Sequence, residues 1–173
     1  VFIRFSDVLN NLLKETYMTT FHDLGLPGDI LATLDDIGFT TPTPIQEQAI
    51  PVALAGHDIL GSAQTGTGKT AAFVLPMIKH LTENPASTAL ILLPTRELAQ
   101  QVQDSCRLML GRRAAIKSAL LIGGAGMSAQ LRELKQSPRV IIGTPGRIND
   151  HLVRRSLSLK DTDFLVLDET DRM

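Results

Sequence analysis

The chain is poor in aromatic and sulfur residues: one cysteine, no tryptophan, one tyrosine, and aromatics at only 4% of 173 positions. A single thiol, Cys106, cannot close a disulfide within the chain, which excludes a small scaffold held by cystines. His22, His57, His80 and His151 are scattered, and with Cys106 they give no zinc-ligand spacing. Proline and glycine, at 9 and 13 residues, stand near ordinary usage and without period, so collagen-like and low-complexity classes are excluded. Long hydrophobic runs are missing too. The longest, near Leu90–Leu93, falls far short of a membrane span, and the first 17 residues carry acids and lack the pattern of an export signal. What is present is an apolar fraction of 43% in a length that lets a domain bury roughly two-thirds of its unfolded surface. One folded domain without a membrane partner, in a reducing, cytoplasmic setting, is expected.

The net charge of −1 conceals a segregation. Residues 1–60 hold 2 basic and 8 acidic side chains, residues 61–160 hold 14 and 5, and residues 161–173 hold 1 and 5. A basic middle segment suits phosphate-bearing partners, and equally suits helices with solvated Arg and Lys.

Val1–Tyr17 is mildly amphipathic and reads as an extension separate from the rest of the chain, with the domain proper running over 18–173. Pro27 and Asp29 open a helix that Gly38 stops, and Pro42 and Pro44 precede a second, from Ile45 toward Ala55. Asp58–Ser62 reads as a strand, followed by a helix through Phe73, Val74, Met77 and Ile78. Strands are then predicted at Ala89–Leu93, Ile116–Ile122, Val140–Ile142 and Phe164–Leu167. Helices are predicted at Arg96–Leu110, at Ser128–Leu134 and from Pro145 through Leu152, and Leu98, Val102, Cys106 and Met109 share one face of the first. Alternation of this kind predicts an α/β fold, a mostly parallel sheet with helices on both faces and ligands at the strand C-termini.

The strongest chemical signal is Gly61-Ser62-Ala63-Gln64-Thr65-Gly66-Thr67-Gly68-Lys69-Thr70, a G-x-x-x-x-G-K-T pattern between a predicted strand and a helix. Its glycines let backbone N–H groups turn toward phosphate oxygens, Lys69 adds a mobile charge, and the Thr70 hydroxyl can reach Mg²⁺. Asp168-Glu169, following an apolar strand, supply a magnesium-facing carboxylate and a group to direct water.

With these motifs the chain closely resembles the first, ATP-binding RecA-like domain of the DEAD-box RNA helicases, from near Phe21 to Met173. The resemblance implies a RecA-like P-loop NTPase fold whose C-terminal strands lie beyond this sequence, and ATP and Mg²⁺ as cofactors. Phe21, Gly38-Phe39 and Thr41-Pro42-Thr43-Pro44-Ile45-Gln46 match the adenine-recognising Q motif, and Phe21, Phe39, Thr41 and Gln46 join Gln64, Thr65, Gly66, Thr67, Gly68, Lys69 and Thr70 as expected nucleotide ligands. Lys69, Asp168 and Glu169 are the expected catalytic groups, with Thr70 and Asp168 on the metal. Thr170 replaces the alanine of the family's namesake motif, and Asp171 is expected to couple nucleotide state to an interdomain surface. Pro94-Thr95-Arg96, Gly123-Gly124 and Thr144-Pro145-Gly146-Arg147 match elements that hold the sugar-phosphate backbone of RNA, whereas Arg112, Arg113 and Lys117 read as a solvated turn.

The resemblance also implies a second RecA-like domain carrying arginine fingers, and ribonucleoprotein partners. Loss of such a finger costs about 10³- to 10⁵-fold in comparable hydrolases, so residues 1–173 alone are expected to bind ATP or ADP weakly, with negligible hydrolysis and no duplex unwinding. The function expected of the intact protein is ATP-dependent RNA unwinding. The alternatives are a nucleotide-switched RNA clamp and, disfavoured by Phe21, Gln46 and Asp168-Glu169, a DNA-directed P-loop NTPase.

Overall fold

Proline and glycine punctuate the first half as their backbone constraints require. The computed structural model describes residues 19–61, 66–111 and 115–169; Val1–Tyr17, Gln64, Thr65, Arg112, Arg113, Thr170 and Asp171 lie outside these. After a 3₁₀ turn (Phe21–Leu24), helix α1 (Gly28–Asp36) starts behind Pro27, and α2 (Pro44–Leu54) starts with Pro44 in its first turn, where no N–H is missed. Helix α3 (Lys69–Glu83) follows, then strand β1 (Thr88–Leu92), α4 (Arg96–Leu110), β2 (Ser118–Leu121), α5 (Met127–Leu134), β3 (Val140–Gly143), α6 (Pro145–Val153) and β4 (Thr162–Leu167). The predicted alternation is met with boundaries moved by one or two residues at most elements.

The four strands form one parallel sheet in the order β2-β3-β1-β4. Register aligns Leu121, Gly143, Leu92 and Leu167 across it, so every strand delivers its following loop to the same edge. Ala89, Ile91, Val140 and Ile142 face the larger core beneath α3 and α4, where Val74, Ile78, Val102 and Cys106 are buried. Burial holds the Cys106 thiol protonated, pushing its pKa up to about 12. Leu90, Ala119, Leu121 and Ile141 face the opposite side with Ile148 of α6. A side chain at Gly143 would strike the Leu121 carbonyl and come within 3.0 Å of Ile148 Cδ1, so the glycine sets how closely α6 approaches the sheet.

One expectation fails. Residues 58–61 form no strand; Ile59 is 44% exposed and Leu60 fully exposed. A strand needs a ladder partner, and among the described residues the strands of the sheet pair only with one another. Among the same residues the outer edge of β4 has no strand beside it, and Leu165 and Leu167 are exposed.

Polar groups fasten the far ends of the strands. Arg139 Nε donates to Ser87 O at 3.0 Å, and its Nη2 donates to Leu81 O at 2.8 Å and Asn84 O at 2.6 Å, satisfying carbonyls at the end of α3. Asp163 accepts from Ser87 Oγ at 2.5 Å and lies 3.0 Å from His80 Nε2. Burial alone would raise the Asp163 pKa, but these hydrogen bonds outweigh it and hold the carboxyl below its ordinary value.

His151 on α6 is fully buried, with its ring nitrogens 2.8 Å from Ser156 Oγ and 3.1 Å from Gln130 Oε1. Burial lowers its pKa, with Arg147 and Arg154 acting in the same direction and Asp150 opposing them.

This packing sets two outcomes. Ile91→Ala, at a fully buried site on a central strand, is expected to cost about 2–5 kcal/mol in urea unfolding. Because the unfolded chain takes up a proton at His151 more readily than the folded one, the stability it contributes is full above about pH 6.5 and declines as pH falls through that value. Unfolding midpoints between about pH 7.5 and about pH 5.5 should record this decline, and His151→Gln should flatten it.

Candidate functional site

The local chain around Gln46 shapes the first cleft. Gln46 lies in the first turn of α2, 4% exposed, where its Oε1 accepts from the Thr43 N–H at 2.9 Å. Its Nε2 donates to Gly68 O at 3.0 Å, so one amide both closes the α2 N-terminus and docks the residue before α3. Gly68 has φ +88°, and a side chain there would collide with the Gln46 amide and come 3.0 Å from Thr43 Oγ1. Glycine is thus required both by the left-handed backbone and by this close approach.

The cleft so formed has a volume of about 400 Å³ and is lined by Phe21, Phe39, Thr41, Gln46, Gly66, Gly68 and Thr70, with Ser105, Leu108 and Met109 of α4 on its other wall. Sequence reasoning misses that second wall, because α4 reads as an ordinary amphipathic helix and only the fold carries its outer turn to the cleft. Phe21 is 3% exposed, and its ring stacks on Phe39 with centroids 6.3 Å apart. The N-terminus of α3 opens on the same side, with its first N–H groups and the positive end of the helix dipole available to an anion.

β4 brings the acids to this helix end. Asp168 N donates to Leu92 O at 3.1 Å, fixing the residue at the sheet edge, and Asp168 Oδ1 lies 4.0 Å from Lys69 Nζ. Glu169 comes next with φ +51°, its N–H donating to Asp168 Oδ1 at 3.0 Å. Lys69 and Asp168 are thus brought together, with Glu169 next in the chain. Among the described residues there is no group of three or more His, Cys, Asp or Glu able to hold a metal ion. The Thr70 hydroxyl and Asp168 carboxylate are hard oxygen donors of the kind Mg²⁺ takes when phosphate and water complete its shell, so the residues fit that ion.

A second cleft, of about 550 Å³, lies along the same edge and is lined by Pro94, Thr95, Arg96, Gly123, Thr144, Gly146 and Arg147, together with Glu97 and Asp150. Each contributing loop follows a strand of the sheet, as expected. Thr95 Oγ1 accepts from Leu98 N at 3.2 Å and caps α4, while Pro145 begins α6, so two helix N-termini face this cleft. Gly124 has φ +80°, and side chains at Gly123 or Gly124 would meet the Arg96 guanidinium. Arg147 Nη1 donates to Ala125 O at 3.1 Å, and its Nε lies 3.5 Å from Asp150 Oδ2. The Asp150 partnership is an i,i+3 helix pair. Sequence reasoning passes over it, although the spacing is legible.

No helix among the described residues is long and apolar enough to cross a membrane. The family model for DEAD/DEAH box helicases matches residues 43–173. The chain is 49% identical over 155 residues to the ATP-dependent RNA helicase DeaD of Haemophilus influenzae, covering 89% of this chain and 25% of that protein. It is 48% identical over 156 residues to the ATP-dependent rRNA helicase rrp3 of Aspergillus terreus, covering 89% of this chain and 35% of that protein. A DEAD box protein from the hyperthermophile Methanococcus jannaschii, known from its crystal structure, superposes with a TM-score of 0.83 at 42% identity, over 91% of this chain and 43% of that one. The chain thus spans about a quarter to a third of these two curated relatives. Matched across 43–173, and with Lys69 at the start of α3 lying 4.0 Å from the Asp168 that follows β4, the chain belongs to the DEAD/DEAH box helicase family.

Proposed function

We propose that residues 18–173 are a RecA-like unit forming the ATP-binding half of an ATP-dependent RNA helicase, with adenine nucleotide in the first cleft and single-stranded RNA in the second. The observation that supports this reading most is Lys69, between the Gly68 and Thr70 that line the first cleft, lying 4.0 Å from the Asp168 that follows β4, while the loops after β1, β2 and β3 line the second cleft.

In this reading the phosphates lie at the α3 N-terminus, where the Gly66–Gly68 backbone and Lys69 offset their charge. Gln64, Thr65 and Thr67 complete that loop, and Phe21, Phe39, Thr41 and Gln46 hold the adenine end. Thr70 and Asp168 would hold Mg²⁺, which when bound supplies charge neutralisation at the outer phosphate oxygens. Glu169 orients the attacking water and receives its proton, and Asp171 passes nucleotide state toward a second RecA-like domain. Arg96 and Arg147, with Thr95, Gly123, Gly124, Thr144, Pro145 and Gly146, hold RNA by its backbone, which needs no base identity. A cytoplasmic setting and ribonucleoprotein partners belong to the same reading.

Titration of the chain with ADP and magnesium tests the first cleft. Lys69→Ala should weaken affinity by about tenfold or more, since a charge-assisted contact to phosphate is removed; unchanged affinity would remove the assignment. For the second cleft, Arg147→Ala should weaken binding of unrelated single-stranded RNA sequences alike and reduce the slope of log affinity against log salt by about 1. A loss confined to one sequence would contradict backbone recognition.

A further inference from the structure

Beneath the second cleft runs a buried chain of hydrogen bonds that none of the roles above uses. Gln130 of α5 is 2% exposed, and its Nε2 lies 2.9 Å from Ile122 O and 3.4 Å from Ala125 O, the carbonyls that bracket Gly123-Gly124. Two acceptors on one side settle the orientation of the amide: the nitrogen faces the turn and Oε1 faces away. That oxygen lies 3.1 Å from His151 Nε2, and an oxygen can only accept there, so His151 carries a proton on Nε2. Its Nδ1 is 2.8 Å from Ser156 Oγ, which fixes the ring from the other side.

The same carbonyl that Gln130 holds also holds an arginine. Ala125 O accepts from Arg147 Nη1 at 3.1 Å, and Arg147 sits one helical turn before His151 on α6. Above the turn, the Arg96 guanidinium fills the space that a side chain at Gly124 would need. The glycine turn is therefore held by the Gln130 amide, and two guanidinium groups meet it, Arg147 at Ala125 O and Arg96 at Gly123-Gly124.

We infer that Gln130, oriented by His151, is a positioning residue for the RNA cleft: it fixes the Gly123–Ala125 turn, and through that turn the directions of Arg96 and Arg147. The inference rests on the RNA reading of that cleft. A glutamate at this position would turn an oxygen toward two carbonyls, and a methionine would fill the space with no donor at all, so the hold depends on an amide rather than on volume.

The test is binding of a short oligouridylate to the chain carrying Gln130→Met, followed by fluorescence anisotropy across a salt series, with amide hydrogen exchange of residues 122–126 measured on the same protein. Expected are a loss of affinity of about tenfold with a salt slope lower by about 1, faster exchange at the turn, and unchanged affinity for ADP. The loss should largely vanish when Gln130→Met is combined with Arg147→Ala, because both then remove one contact. Parent-like affinity and slope would overturn the inference, as would weaker binding with exchange at the turn unchanged. A parent chain that binds no oligouridylate removes the RNA reading instead, and exchange at the turn then decides whether Gln130 orders it. Should Gln130→Met fail to fold, His151→Leu carries the same comparison, with a smaller loss of the same sign supporting the inference and parent-like behaviour overturning it.

Discussion

A single buried amide, that of Gln46, is the joint on which the first cleft depends. By accepting from the Thr43 N–H and donating to the Gly68 carbonyl, it ties the start of α2 to the start of α3 across 22 residues of sequence. Neither contact is strong in isolation; a net worth of about 1 kcal/mol is usual for such a bond. Their value is geometric. With both partners fixed, Gly68 has one place to be, the N–H groups of α3 have one direction to face, and the cleft acquires walls before any ligand arrives.

The rest of the arrangement comes from strand direction. In a parallel sheet every crossover returns the chain to the same end, so all post-strand loops accumulate at one edge. Here that edge gathers the acids after β4, the proline after β1, the glycine pair after β2 and the Thr144–Arg147 segment after β3. Two helix N-termini, at α4 and α6, add their positive potential to that of Arg96 and Arg147 at the second cleft. Asp168 stands 4.0 Å from Lys69, at the other part of the edge.

Much of this is legible in the sequence wherever a local pattern carries the structural decision. Helix Arg96–Leu110 is read without error because Leu98, Val102, Cys106 and Met109 repeat at helical spacing and Gly111 ends them. The phosphate-loop pattern places α3 because the first turn of that helix is itself part of the motif. The segment 58–61 is misread because composition reports only that a stretch can be a strand, while pairing depends on a neighbour that sequence does not reveal. Gln130 escapes for a related reason. A glutamine on a short amphipathic helix reads as surface, and only the meeting of α5 with the end of β2 and with His151 of α6 makes it buried and fully engaged. Phe21 is legible as a member of its motif, though not that its ring stacks on Phe39 within the core.

The glycine at 143 has a consequence for inheritance. It touches no cleft and bears no side chain, yet the backbone of β2 and the side chain of Ile148 close over it so tightly that no larger residue fits without moving α6. Arg147 rides on that helix, one residue before Ile148. An allele replacing Gly143 would therefore displace Arg147 and the wall of the second cleft while leaving Gln46 and the first cleft in place, and would be overlooked by any survey of variants that ranks positions by distance to a cleft.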